Sequence, residues 1–83
     1  MSTVRKRSVS IGGHRTSYSI EDAFQAELNT IAETRGISLA ALIAEIDAER
    51  DSETNLSSAL RLFVLNELKR ARQLAPKNIL QFQ

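Results

Sequence analysis

Residues 8–20 read Ser-Val-Ser-Ile-Gly-Gly-His-Arg-Thr-Ser-Tyr-Ser-Ile, and this stretch decides which fold the chain can adopt. It is rich in β-branched, aromatic and hydroxyl residues, a composition typical of β-strands. Because side chains alternate along a strand, one face holds Thr16, Tyr18 and Ile20, and the other holds Arg15, Ser17 and Ser19. The second half of the stretch therefore predicts a strand with one mainly apolar face and one polar face.

Gly12 and Gly13 separate two strand-like runs, which is a signal for a two-residue hairpin turn. Such a turn would pair Ile11 with His14. In that register one face holds Val9, Ile11, Thr16, Tyr18 and Ile20, and the other holds Ser8, Ser10, Arg15, Ser17 and Ser19. The alternative is a basic N-terminal arm over residues 1–13 that stays flexible up to the glycines.

Two short amphipathic helices are predicted after the strand. The first covers residues 21–35, where the apolar side chains that recur at helical spacing are Ile20, Phe24, Leu28 and Ile31. Gly36 suits the left-handed residue that ends a helix, and Ser38 suits the N-cap of the next one. The apolar stripe of the second helix consists of Leu39, Leu42, Ile43 and Ile46.

A third helix is predicted to begin after Asn55, a good N-cap residue, and to end before Pro76. Its apolar side consists of Leu56, Leu60, Phe63, Val64 and Leu68. Leu62 and Leu65 broaden that stripe, so we expect this helix to contact more than one neighbour. Residues 14–72 thus form the folded domain, and residues 73–83 form a C-terminal tail that either docks on it or remains loose.

A strand of this length needs a pairing partner, and a chain of 83 residues has little core of its own. The chain has no Cys, so disulfides cannot compensate. The simplest partner is a second copy, whose strand would pair across a two-fold axis. We therefore predict a mostly α fold with a short β-ribbon: an intertwined homodimer with an intermolecular antiparallel two-stranded ribbon and an additional C-terminal helix. The expected dimer core is Tyr18, Ile20, Phe24, Leu28, Ile31, Leu42, Ile46, Leu60, Phe63 and Val64.

Charge is distributed unevenly along the chain. Residues 1–20 contain four basic side chains and no acid, whereas residues 21–55 contain nine acids and two basic side chains. A basic segment on an acidic body indicates contact with a polyanion, and a solvated basic tail has the same pattern. With one His and no Cys, neither a metal site, a cofactor nor an enzyme activity is predicted. The absence of an apolar run of membrane length and of a secretory signal predicts a cytoplasmic protein.

Two segments resemble a bacterial ribbon-helix-helix family of the alphaproteobacterial type, within the Arc/MetJ-type superfamily: Gly13-His-Arg-Thr-Ser-Tyr-Ser-Ile-Glu-Asp-Ala-Phe24 and Asn55-Leu-Ser-Ser-Ala-Leu-Arg61. The resemblance covers roughly residues 5–70. Members of that superfamily are dimeric transcription factors whose ribbon reads DNA. The resemblance implies that the base-contacting residues are Arg15, Ser17 and Ser19. It also implies that backbone amides at Ile37, Ser38 and Leu39 hold a phosphate.

The sequence therefore predicts a dimeric DNA-binding protein, a transcriptional regulator whose partners are double-stranded DNA and its own second copy. Further phosphate contacts are expected from Arg5, Lys6, Arg7 and His14. The alternative is a dimeric protein-interaction module, antitoxin-like or with a role in assembly, that holds a second protein through the third helix and the tail. The broad apolar stripe of the third helix favours this alternative, and an ordinary dimer core would explain the same stripe.

Overall fold

The computed structural model of the protein describes residues 3–74. Two strands come first, β1 (Val4–Ile11) and β2 (His14–Glu21), and three helices follow: α1 (Asp22–Arg35), α2 (Leu39–Glu49) and α3 (Leu56–Leu74). The predicted order of a ribbon followed by three helices is confirmed. α3 extends two residues into the segment predicted as a tail, and the rest of that tail, with Pro76, lies outside the described residues.

β1 and β2 pair as a two-stranded antiparallel sheet within a single chain. Gly12 and Gly13 form the turn with φ angles of 55° and 84°, a backbone region in which glycine is favoured because it has no Cβ. Ile11 lies opposite His14, so the register of the hairpin interpretation is confirmed. The two-glycine turn lets residues 4–11 fold back and pair with β2 within the chain. The intermolecular ribbon between two copies stays a prediction.

The turn between α1 and α2 contains the caps that the sequence predicts. Gly36 has a left-handed backbone with φ of 71° and follows the last residue of α1. The amide of Ile37 donates to the carbonyl of Ala32 at 3.0 Å, which satisfies an otherwise unpaired carbonyl at the helix end. Ser38 then begins α2, because its hydroxyl accepts from the amide of Ala41 at 3.0 Å.

The loop between α2 and α3 is held by one arginine and one N-cap. The Arg50 guanidinium binds the carboxylate of Asp47 at 2.9 Å and the carbonyl of Thr54 at 2.8 Å. The side-chain oxygen of Asn55 accepts from the amide of Ser58 at 2.8 Å, so the predicted cap of the third helix is confirmed. These contacts fix the direction in which α3 leaves the loop.

A hydrophobic core lies between the ribbon and the helices. Its buried members are Tyr18, Ile20, Leu28, Ala32, Leu42, Ile43, Ile46, Leu56, Leu60 and Val64. Seven of the ten residues predicted for the dimer core are buried here within one chain, and Phe24, Ile31 and Phe63 pack against them in partly buried positions. Full burial of an aliphatic side chain of this size contributes about 1.5–3 kcal/mol. The core therefore holds one face of the ribbon against the helices and leaves the opposite face outside.

Candidate nucleic-acid interface

The outer face of the ribbon, which points away from the core, carries three successive rows of polar side chains. Lys6 lies opposite Ser19, Ser8 lies opposite Ser17, and Ser10 lies opposite Arg15. Ser19 is half-buried, and the other five are exposed. Successive rows are about 6.6 Å apart, because side chains on one face of a strand recur at every second residue. The outer face thus presents two cations and four hydroxyl groups in a regular array.

The residues predicted to contact bases, Arg15, Ser17 and Ser19, lie in consecutive rows on β2. A guanidinium can bind the O6 and N7 atoms of guanine together, and a hydroxyl can donate or accept a hydrogen bond. The structure places Ser8 and Ser10 of β1 directly beside them. Both serines had been assigned to the polar face of a hairpin without a role of their own. Their position makes them part of the same surface.

The three basic residues at the start of β1 do not share one environment. Arg5 and Arg7 lie on the inner face, where both bind Asp22 at the start of α1. An Nη atom of Arg7 lies 2.7 Å from Oδ1 of Asp22, and Nε of Arg5 lies 3.1 Å from the same oxygen. Lys6 alternates with them and belongs to the outer face. Of the three residues predicted to contact phosphates in this segment, Lys6 therefore points outward, whereas Arg5 and Arg7 are bound to the carboxylate of Asp22. His14 is exposed beside the turn.

The predicted phosphate site at the start of α2 is partly engaged by contacts within the chain. The amide of Ile37 completes the end of α1 by donating to Ala32. The Ser38 hydroxyl serves as the N-cap of α2. Leu39 is the first residue of α2, and the first four amides of a helix have no acceptor within it. The amides of Ser38 and Leu39 and the positive end of the helix dipole are thus the features here that suit an anion.

Two residues of α3 hold the outer edge of β2, a role not foreseen from the sequence. The backbone amide of Ser19 donates to the Ser57 hydroxyl at 2.8 Å, and Arg61 donates to the Ser19 carbonyl at 3.4 Å. Arg61 also binds the carboxylate of Glu21 at 2.9 Å. The spacing of Ser57 and Arg61 places both on one helix face. That spacing is visible in the sequence, but it does not predict that the two side chains bind a strand about forty residues earlier in the chain.

A family model described as "Ribbon-helix-helix domain" matches residues 4–68. The chain belongs to the ribbon-helix-helix domain family. The match begins at β1 and ends within α3, so the hairpin and most of the third helix lie inside the ribbon-helix-helix domain. No curated protein and no solved structure matches the chain.

Two titratable side chains in the ribbon of this ribbon-helix-helix domain are shifted by their surroundings. Burial raises the pKa of Tyr18 above its usual value of 10.0, against the smaller lowering effects of its bond to Gln25 and the charge of Arg7. The Tyr18 hydroxyl donates to a side-chain oxygen of Gln25 at 3.0 Å. The hydrogen bond from Arg61 lowers the pKa of Glu21 below 4.5. At neutral pH the ribbon therefore has a neutral phenol beneath it and a carboxylate at its end that binds α3.

A second surface of the ribbon-helix-helix domain is an open groove of about 520 Å³ between α2 and α3. Its apolar lining consists of Ile46, Ala59, Leu62 and Phe63, and the charged residues around it include Arg35, Glu45, Glu49, Arg50, Glu67 and Arg70. Arg35 lies 5.4 Å from the centre of the Phe63 ring and 3.3 Å from the carboxylate of Glu67. Leu62 is 54% exposed although it lines the groove, so this surface could bury further apolar area in a complex.

Within residues 3–74, no group of three or more His, Asp or Glu side chains is arranged to hold a metal ion. In the same part of the chain, none of the helices has both the length and the apolar character needed to cross a membrane.

Proposed function

We propose that this protein is a homodimeric DNA-binding protein that regulates transcription by inserting its β-ribbon into the major groove. The observation that carries the proposal is the exposed polar outer face of the ribbon, with Arg15 and Ser17 on β2, above an inner face that the core holds in place. The major groove admits a two-stranded ribbon. Ribbon-helix-helix domains are typically DNA-binding regulators, which supports the same role. As a regulator in bacteria it would act in the cytoplasm, by binding and not by catalysis, and without a cofactor.

In this role Arg15 contacts guanine, and the hydroxyls of Ser17 and Ser19 contact neighbouring base edges. Lys6 adds positive charge to the same face, and His14 beside the turn reaches a phosphate. The start of α2, with the amide of Leu39, binds a phosphate at the side of the ribbon.

Arg5 and Arg7 reach phosphates only by leaving Asp22, and Arg5 is the better placed to do so because its side chain is 61% exposed.

The exposed leucines of α3 support the homodimer. Leu62, Leu65 and Leu68 are 54%, 49% and 48% exposed, so the single chain leaves about half of each side chain in water. Burying such side chains against a second copy removes apolar surface from water and stabilises the pair. The small size of the chain favours the same conclusion, since small domains gain much of their stability from partners.

The groove between α2 and α3 supports a second candidate, a dimeric protein-interaction module with an antitoxin-like or assembly role. The groove has an apolar lining and a charged rim, and protein-binding surfaces have the same arrangement of an apolar centre and a polar edge. In this case the ribbon would be a structural element, and the partner would contact α3. The two candidates differ in which variants matter: those on the outer face of the ribbon or those in the groove.

Selection of duplexes from a random-sequence library by the purified protein tests the proposal. We expect one enriched motif, bound at least about 1,000-fold more tightly than random DNA. Arg15→Ala should cost about 1–3 kcal/mol of discrimination at one or more positions of the motif. Glu49→Gln in the groove is the comparison variant and should leave the motif unchanged. If the protein binds every sequence equally, or binds no DNA, the role in reading DNA sequence is excluded. The protein-interaction module is then the remaining candidate.

A further inference from the structure

The groove between α2 and α3 runs along the side of α3 from which the chain continues. Ala59, Leu62, Phe63 and Arg70 line it at successive turns of the helix, and α3 ends at Leu74. Residues four apart on a helix share a face, so Leu74 lies one turn beyond Arg70 on the groove side. The residues that follow Leu74 therefore begin beside one end of the groove.

Residues 75–83 read Ala-Pro-Lys-Asn-Ile-Leu-Gln-Phe-Gln, and they lie outside the described residues. Pro76 has no amide hydrogen to continue a helix, and it disfavours helical backbone at Ala75, so we expect the chain to leave α3 there. Leu80 and Phe82 are two positions apart, and in an extended segment such residues point to the same side. The segment can thus present two large apolar side chains to one surface.

The reach of this segment matches the length of the groove. A helix rises 1.5 Å per residue, so Leu62 lies about 18 Å back along α3 from Leu74, and Ala59 about 22 Å. An extended chain spans at most about 3.3–3.6 Å per residue, which gives about 20–22 Å from Leu74 to Leu80 and about 26–29 Å to Phe82. A segment that turns back and runs antiparallel to α3 can therefore place Leu80 beside Leu62, and Phe82 near Ala59.

The charges of the groove complement the single charged residue of the segment, Lys77. The lining has four carboxylates and three guanidinium groups, which are Glu45, Glu49, Asp51 and Glu67 with Arg35, Arg50 and Arg70. About 10 Å of extended chain brings Lys77 level with Glu67. Arg35 joins Glu67 to Glu45 there, and the Glu45 side chain is 59% exposed. We therefore expect the carboxylate of Glu45 to accept the Lys77 ammonium group.

We propose that residues 77–83 dock in the groove of their own chain, with Leu80 and Phe82 against its apolar lining. This inference does not depend on DNA binding, because no residue of the ribbon takes part. A protein segment that used the groove, as in the second candidate function, would have to displace these residues. Leu65 and Leu68 do not line the groove, so they stay available to the proposed homodimer.

The covalent connection to α3 favours the same chain over a second copy. A segment joined to its site by a few residues meets that site at an effective concentration of about millimolar. A second copy at micromolar protein concentration competes poorly with such a segment. The side chain of Leu62 is half-exposed in the groove, and contact with an apolar side chain would remove that surface from water.

Fluorescence of one introduced Trp tests the inference on the full chain. The chain has no Trp, so Phe82→Trp provides a single emitter, whose spectrum shifts to shorter wavelength when the ring leaves water. We expect a blue-shifted emission that moves to the position of free tryptophan in urea. Adding Leu62→Asp should abolish the blue shift, whereas adding Leu68→Asp should preserve it. Leu68 is the matched control, because it is similarly exposed on α3 but does not line the groove.

Emission at the position of free tryptophan from Phe82→Trp, with the helices intact by circular dichroism, would overturn the inference. Equal loss of the blue shift with Leu62→Asp and Leu68→Asp would also overturn it, since the ring would then be buried elsewhere. Loss of DNA binding in a separate assay would not bear on either result.

A disulfide test distinguishes the same chain from a second copy without changing Phe82. The chain has no Cys, so introduced cysteines have no competing thiols. Docking brings Leu62 and Leu80 into contact, so oxidation of Leu62→Cys/Leu80→Cys should give a disulfide within one chain at a rate independent of protein concentration. Leu68→Cys/Leu80→Cys should react more slowly, although Leu68 lies closer to the end of α3.

Two outcomes of the oxidation would overturn the inference. A covalent dimer as the main product of Leu62→Cys/Leu80→Cys would show that the segment occupies the groove of a second copy. A rate for Leu68→Cys/Leu80→Cys as fast as that for the groove pair would show that the segment does not reside in the groove.

Discussion

Ser38 combines a structural role for its hydroxyl with a proposed binding role for the backbone beside it. The hydroxyl caps α2 by accepting from Ala41, so Ser38→Ala should lower the free energy of unfolding by about 0.5–2 kcal/mol in urea titrations. Ser38→Asp keeps a capping oxygen but places a negative charge where a DNA phosphate would bind. We expect this variant to be as stable as the wild type and to bind every DNA sequence more weakly. Unchanged DNA affinity would remove the start of α2 from the interface.

At the scale of single residues, caps could be predicted from the sequence and long-range partners could not. Gly36, Ser38 and Asn55 act locally, because each cap bonds to backbone within a few residues, and all three predictions are confirmed. Ser57 and Arg61 bind a strand about forty residues away, and no local pattern encodes that distance. The predicted contacts of the candidate site with DNA remain predictions.

At the scale of elements, the pairing of β1 with α1 through Asp22 should limit contact with DNA phosphates. Asp22→Asn removes the carboxylate that binds Arg5 and Arg7, so both guanidinium groups become available. We expect tighter binding to all sequences, and a plot of log affinity against log salt that is steeper by about 1–2 for each chain of the dimer, since each phosphate contact contributes about 0.9. Asp51→Asn in the α2–α3 loop changes the net charge equally and should leave the slope at the wild-type value. The same slope for both variants would show that Asp22 does not restrain the arginines.

The ribbon shows what a strand pattern contains and what it lacks. Alternation and the Gly12–Gly13 turn gave the register and the faces of both strands correctly, because a two-residue turn fixes which residues are opposite. The same pattern did not decide whether the pairing strand comes from the same chain or from a second copy. That choice depends on whether β1 can also pack on the helices, and Val9 and Ile11 do so by lying against the core.

At the scale of the whole molecule, we expect α3 to join two copies in solution. Leu65→Glu places a charge on the exposed part of the helix without opening the core of the single chain. Sedimentation at micromolar concentration should show a dimer for the wild type and a folded monomer for Leu65→Glu, with circular dichroism confirming the helices. Val4→Glu alters a side chain of similar exposure, 52%, on β1 and should leave the dimer intact. A wild-type monomer at that concentration would contradict the homodimer.

Both strands of the ribbon belong to one chain and are joined by a turn of two residues, so the ribbon forms in a unimolecular step. Its population therefore does not depend on how many copies a cell contains. The concentration of a ribbon assembled from two chains would instead fall with the square of the chain concentration when copies are few. Dilution can separate the proposed dimer into single chains, and each chain would still keep its ribbon.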